Sequence, residues 1–265
     1  MAFLVPCAPR HGRVRAANRP PPPRSGGRRA PFATRCRLET HQAPAPWSRL
    51  SPELRQQRDA LARQVEELVG VDRGIFAMDG DDRRAAEKAL AQLEALNPNR
   101  EPLLYLNELV ADRWRLLYTN LTIVGRRRAL LNLSPSSRFG FAMLGELYQV
   151  VHPLPTDSSV NSGRSENIVE LVVLGTHHGT YRVDADYSPD PADRARVLVQ
   201  RTGTTLRPES LVELLGNERR QLIDQIFDPT GYLDITYVDE LYRIGRDSCG
   251  HLFFMKRVVE AGSSE

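Results

Sequence analysis

The sequence predicts a mainly β protein, an antiparallel sandwich or barrel preceded by two amphipathic helices. Three observations predict it. Two helical stripes come first, the apolar period changes from 3.6 to 2 near Trp114, and strand-length stretches then recur with turn residues between them. Trp114, Leu116 and Tyr118 alternate with Arg113, Arg115 and Leu117. Leu147–Val151 follows, then Ile168–Leu174, Tyr181–Asp186 and Arg196–Arg201. A C-terminal pair is expected over Leu233–Gly245 and His251–Val259, joined by Arg246-Asp247-Ser248-Cys249-Gly250. His177-His178-Gly179 fits a hairpin tip, and Pro208–Phe227 fits a helical or irregular connection.

The helices carry their own start and stop signals. Ser51-Pro52-Glu53 supplies a hydroxyl cap, a proline at the first helical position and an acid in the first turn. Leu54, Leu61, Val65 and Leu68 follow at helical spacing, and Gly70 closes the element. A second helix begins near Asp81-Asp82, carries Ala86, Leu90, Leu93 and Leu96 on one face, and ends at Asn97-Pro98. Both read as amphipathic covers that pack on something else, with docking on a membrane surface as the alternative for their apolar faces.

Residues 1–46 differ from the rest. They hold nine arginines, one acid (Glu39) and nine of the nineteen prolines, including Pro20–Pro23. Their net +8 against a whole-chain +3 leaves −5 for the remainder. A negative folded part repels a phosphate backbone, so a nucleic-acid partner is not expected. Such a leader cannot bury enough apolar surface to offset the entropy of ordering it. An Arg-rich, nearly acid-free N-terminus before a composition shift reads as an organelle transit peptide, with a retained basic tail as the alternative. The expected organisation is a disordered transit peptide and linker over 1–46, a domain over 47–258 and a disordered tail over 259–265. Within the domain, helices fill about 51–97 and strands about 110–258.

Several classes are excluded. No stretch approaches the roughly 20 apolar residues of a membrane-spanning helix. Cys7, Cys36 and Cys249 lie far apart, without the spacing of a disulfide framework or a four-ligand zinc site. No nucleophile elbow, P-loop, zinc-protease helix or dinucleotide fingerprint occurs. No catalytic residue, metal or cofactor is expected. A sheet of about eight strands closed on itself either fills with side chains or holds one small ligand. The residues expected to face that interior are Tyr118, Val169, Leu171, Val173, Tyr181 and Val183. They suit a lipid, isoprenoid or pigment, and equally a filled core.

The segment Phe227-Asp228-Pro229-Thr230-Gly231-Tyr232-Leu233-Asp234-Ile235-Thr236-Tyr237-Val238-Asp239, with Arg243-Ile244-Gly245-Arg246-Asp247 and Gly250-His251-Leu252-Phe253-Phe254, resembles the plastid lipid-associated protein (fibrillin) family. Upstream, Gly70-Val71-Asp72-Arg73-Gly74, Leu96-Asn97-Pro98, Trp114–Thr119 and Ser165–Glu170 resemble that family in the same order, so the likeness spans about 50–258. Departures are Tyr232 where the family often has Trp, the Asp112-Arg113-Trp114 entry, the Arg126-Arg127-Arg128 cluster and the Asp157–Arg164 loop. The resemblance implies a lipocalin-like antiparallel β-barrel and turns the leader into a plastid transit peptide. It also implies a non-enzymatic protein, peripheral to thylakoids or plastoglobules or in the stroma. Such a protein binds or shields lipid, isoprenoid, quinone or carotenoid. The alternative is an adaptor with a filled barrel that organises isoprenoid or quinone enzymes.

Some residues remain to be weighed. In lipocalin-like barrels a C-terminal arginine packs across the first-strand tryptophan, which assigns Trp114 and Arg243 a structural role, with Arg246 as the substitute. Asp234 is the expected buried partner of Arg243. Asp234 and Asp239 are five apart on a presumed strand and face opposite ways, which argues against a catalytic carboxylate pair. Asp228 before Pro229 is a turn-former, and the His177-His178 pair reads as hairpin surface rather than a metal site. Arg126–Arg128 reads as a solvated loop, or as a contact for anionic headgroups.

Overall fold

Ser51 caps the first helix as its hydroxyl demands: Oγ accepts the Leu54 amide at 3.3 Å, and α1 (Pro52–Val69) runs to Gly70 at φ 57°. Asp79 caps α2 (Gly80–Ala95) through the Asp81 amide at 2.8 Å. The computed structural model describes residues 50–70, 73–76, 78–134, 142–155 and 162–259. The leader, most of the expected tail and most of the Asp157–Arg164 loop lie outside them. A 3-10 turn (Pro102–Tyr105) and a π-helical turn (Leu106–Val110), which periodicity did not anticipate, lead into the sheet.

The strands are β1 (Arg113–Thr119), β2 (Leu133–Ser134), β3 (Ala142–Val151), β4 (Gly163–Val173), β5 (His177–Asp190), β6 (Asp193–Arg207), β7 (Gly231–Val238), β8 (Tyr242–Asp247) and β9 (Leu252–Arg257). Helix α3 (Gly125–Leu131) lies between β1 and β2, and α4 (Ser210–Ile226) between β6 and β7. From β3 to β9 each strand pairs antiparallel with the next. β9 returns to β1 and β1 to β3, with Trp114 opposite Gln149, so eight strands close into the expected antiparallel barrel. β2 adds a two-residue parallel step beside β3.

Three local expectations are corrected. The stretch Leu233–Gly245 is two strands, because Asp239 folds a turn: its Oδ1 accepts the Leu241 and Tyr242 amides at 2.8 and 2.7 Å. The β4–β5 tip is Leu174-Gly175-Thr176, with positive φ at Leu174 and Gly175, so His177 and His178 open β5 instead. Arg126–Arg128 is helical, within α3.

Strand alternation is interrupted where bulges change its phase. Trp114 and Leu116 face the barrel interior, but a register shift between Leu116 and Tyr118 turns Tyr118 outward. The shift between Ile235 and Tyr237 does the same for Tyr237. On β8 and β9, Tyr242, Ile244, Leu252 and Phe254 also face outward, opposite Phe253 and Met255 inside. These outward residues meet Leu61, Ala62, Val65 and Val69 of α1 and Ala86, Ala89, Leu90 and Leu93 of α2. The helix pair is therefore a cover on β1, β7, β8 and β9. Its polar latches are Arg246 Nε and Nη2 on Glu94, each at 2.8 Å, and Arg58 Nη1 on Asp239 at 3.0 Å and Glu240 at 2.5 Å. Burial opposes the Arg58 charge, yet Glu240, Asp239 and Asp59 together hold its pKa above the ordinary arginine value.

Asp239 is fully buried and also accepts the Tyr237 hydroxyl. Asp239→Ala leaves Arg58 without its buried partner and opens the β7–β8 turn. A loss of roughly 3–5 kcal/mol is expected in denaturant unfolding. A loss under 1 kcal/mol would contradict this latch.

Burial, aided for Tyr118 by the Glu87 carboxylate, pushes the Tyr118 and Tyr187 phenols up to about 12, and Tyr181 and Tyr237 higher still. A raised phenol stabilises the fold fully below its unfolded value near 10.0 and loses that contribution as pH climbs through about 12. A phenolate absorbance titration with parallel circular dichroism should show these tyrosines ionising only as the fold is lost. Ionisation of all eight tyrosines near pH 10 with an intact fold would refute it.

Candidate functional site: the plugged barrel interior

The two ends of the barrel differ in chemistry. The end where β1 finishes and β3 begins receives α4; the other receives Trp114 and Arg243.

Five of the expected interior residues face inward. Val169, Leu171 and Val173 of β4 and Tyr181 and Val183 of β5 are each at most 2% exposed and share one apolar cluster. Tyr118 does not join them. The bulge places it under α2, where its hydroxyl donates to Glu87 at 3.3 Å. A strict period of 2 cannot anticipate a one-residue insertion, which reverses every face beyond it.

Helix α4 occupies the mouth. Leu211, Leu215, Ile223 and Ile226, with Phe227 after them, belong to the same buried cluster as the barrel interior. Their spacing was readable as a helix, but not their destination. Gly216 breaks the helix at φ 70° and ψ 165°, a conformation available to glycine. The second half is tied by the Tyr181 hydroxyl, which donates to Asp224, and by Arg201 Nη1, which donates to the Asp224 carbonyl at 3.2 Å. Beside Phe227, Phe253, Leu116, Leu147 and Ile75 lies a cavity of about 10 Å³. That is at most room for one water, far below the roughly 300–1,000 Å³ of a ligand pocket. A larger hollow of about 350 Å³, beside Tyr187, Leu198 and Gly231, is an open cleft.

The opposite end is polar inside. Arg243 is 1% exposed, with its guanidinium carbon 4.8 Å from the Trp114 ring centre. Its Nη2 donates to Gln149 Oε1 and lies 2.9 Å from Met255 Sδ; Gln149 Nε2 in turn donates to Asn167 at 2.8 Å. Burial and the neighbouring Arg257 charge pull the Arg243 pKa down to about 9. Arg257 also lies over the indole, at 4.7 Å, and is paired with Asp112. Trp114 Nε1 donates to the Val110 carbonyl at 2.9 Å, so the π-helical turn closes the bottom.

Asp234 is not the partner of Arg243. It alternates with Leu233 and Ile235, which fill the interior, and so faces outward to Arg196 at 2.6 and 2.9 Å. Arg246 faces α2 rather than Trp114. Gln149 and Asn167, missed in the sequence, carry the inward polar role; amides within an apolar alternation were the only signal.

The rim at the α4 end is basic and partly apolar. Residues 120–134 contain Arg126, Arg127 and Arg128 and no acid. Arg128 lies over the Phe76 ring at 5.2 Å, Arg126 and Arg127 are exposed, and so are Val124, Leu130 and Leu174. Arg219 Nε donates to the Leu130 carbonyl at 3.2 Å, which joins α4 to this rim. Among the described residues no helix is long and apolar enough to cross a membrane.

The family model described as PAP_fibrillin matches residues 59–256. The chain matches no curated protein. The matched span takes in most of α1, all of α2, the barrel, its plug and its Arg243 end. Proteins of this family are generally structural or lipid-associated rather than catalytic. With its closed barrel and helical cover, the chain belongs to the PAP_fibrillin family of plastid lipid-associated proteins.

Proposed function

We propose that the protein is a non-enzymatic carrier or shield for one apolar molecule, with α4 as the plug of its barrel. The molecule is a lipid, isoprenoid, quinone or carotenoid, and the protein works peripherally at a thylakoid or plastoglobule surface. The observation that carries this reading is the seat of α4 in the barrel mouth. Its inserted side chains are aliphatic and aromatic, the chemistry of the cargo they would yield to. Val169, Leu171, Val173, Tyr181 and Val183 are the proposed lining.

Energetics couple opening to lipid. Withdrawing Leu211, Leu215, Ile223, Ile226 and Phe227 into water forfeits roughly 8–15 kcal/mol, at about 1.5–3 kcal/mol per side chain. The plug therefore leaves only toward something apolar. The rim supports that direction, since Val124, Leu130 and Leu174 are exposed beside Arg126 and Arg127. Arginines near an anionic leaflet contribute ~1 kcal/mol each.

A second reading has its own observation. The cavity of only about 10 Å³ beside Phe227 and Phe253 also suits a filled barrel whose surface gathers isoprenoid or quinone enzymes. Mass spectrometry of lipids released from detergent-free native protein separates the two. A stoichiometric apolar molecule supports the carrier; background lipid with a co-purifying enzyme supports the adaptor.

Within the carrier reading, Leu171→Arg puts a charge where an inward residue stands, while Glu170→Gln changes an exposed neighbour. The first should abolish ligand retention and the second leave it unchanged, measured on folded protein. Equal retention in both would count against the assigned face. Hydrogen exchange provides the test of the plug. Amides of 211–226 should lose protection at least tenfold when apolar ligand is loaded, while β4 and β5 stay protected. A loaded protein whose α4 is as protected as before would sink the plug.

A further inference from the structure

The β8–β9 turn places three unlike donor groups side by side. In Asp247-Ser248-Cys249-Gly250-His251 the carboxylate, thiol and imidazole alternate, and one ligand atom from each lies within 4.8 Å of the others. The backbone brings them together. The Asp247 amide donates to the His251 carbonyl and the Gly250 amide to the Asp247 carbonyl, each at 3.0 Å, with Gly250 at φ 82°. Asp247 Oδ1 accepts the Cys249 and His251 amides at 2.7 and 2.9 Å, and Oδ2 stands 2.7 Å from His251 Nδ1. The turn is pinned to the end of β1, because Asn120 Oδ1 accepts the Leu252 amide at 2.7 Å. Asp247 is buried, whereas Cys249 and His251 are half-buried and reachable from solvent.

We propose that this turn is a binding site for a borderline-soft divalent cation of the Zn²⁺ class, at the margin of the interior cluster against which Cys249 packs. Sulfur and imidazole nitrogen with one carboxylate oxygen select such an ion over Mg²⁺ or Ca²⁺, which take oxygen sets. Three protein donors leave a fourth tetrahedral position to solvent or a ligand. Bonds of roughly 2.0–2.3 Å set neighbouring donors roughly 3.3–3.8 Å apart, so the Asp247 Oδ2–His251 Nδ1 pair, at 2.7 Å, must open as the ion enters. A thiolate and a carboxylate balance the two positive charges. The adjacent cation Arg246 is turned away and paired with Glu94, so it does not compete for the site. The carboxylate that organises the turn also keeps the donors gathered, which lowers the entropy lost on binding. The ion would clamp the β8–β9 hairpin at the same end of the barrel as α4.

The test is titration of the full chain with Co²⁺ alone, followed by Zn²⁺. One equivalent of Co²⁺ should give thiolate-to-cobalt absorption, which Zn²⁺ displaces. The signal should persist in Cys7→Ser/Cys36→Ser, vanish in Cys249→Ser and weaken at least tenfold in His251→Gln. Cys249→Ser leaves the Asp247 contacts in place, so its metal-free melting should be unchanged and a folding defect is told apart from a lost ligand; His251→Gln also removes the imidazole beside buried Asp247, so its cobalt signal is read on protein that circular dichroism shows to be folded. No cobalt–thiolate band in the wild type, or one that survives Cys249→Ser, overturns the site.

Discussion

Four strands of this barrel must bury both of their faces, and the rest of the molecule is arranged around that requirement. A closed sheet has one inner face that packs by itself and one outer face that ordinarily meets water. On β8 and β9 the outer positions are Tyr242, Ile244, Leu252 and Phe254, and none is more than 5% exposed. The bulges in β1 and β7 add Tyr118 and Tyr237 to that face. Apolar surface on this scale needs a cover, and α1 with α2 supplies it through stripes that have nothing else to pack against. The latches Arg58–Asp239 and Arg246–Glu94 then fix which way the cover lies. A salt bridge adds little by itself in such a setting, but losing one partner of a buried pair is costly.

The interior divides by chemistry along its axis. At one end Trp114, Arg243, Gln149 and Asn167 form a polar knot whose hydrogen bonds are internal. At the other, the buried side chains of α4 carry no polar group to satisfy, and its directional contacts include those of Asp224 with Tyr181 and Arg201 and of Arg219 with the Leu130 carbonyl. The first end is held by directional hydrogen bonds, the second chiefly by apolar burial.

Local patterns made much of this legible. The cap Ser51 sits at its helix start, and Trp114, Leu116, Val169, Leu171, Val173, Tyr181 and Val183 show their faces through a period of 2. The Trp114–Arg243 contact followed from the family resemblance and stands at 4.8 Å. What failed to read was phase and partnership. Tyr118 lies one bulge beyond its alternation, Asp234 found Arg196 across β6 and β7, and Asp239 turned a strand into a hairpin. Tyr118 depends on a single inserted residue and Asp234 on a partner far along the chain, while the Asp239 turn rests on amides two and three positions on, which period counting carries through unseen.

The sequence by itself determined the mainly β class, the paired helices, most strand positions and the family, because these rest on spacing and on contiguous motifs. Only the tertiary structure decided that the apolar side chains of α4 join the barrel's interior cluster. It also decided that Gln149 replaces Asp234 beside Arg243, and that Asp247, Cys249 and His251 gather their donors at one turn. The physical reason is that apolar side chains declare that they must be buried but not against what. Polar side chains likewise declare a need for partners that only the closed sheet can bring within reach.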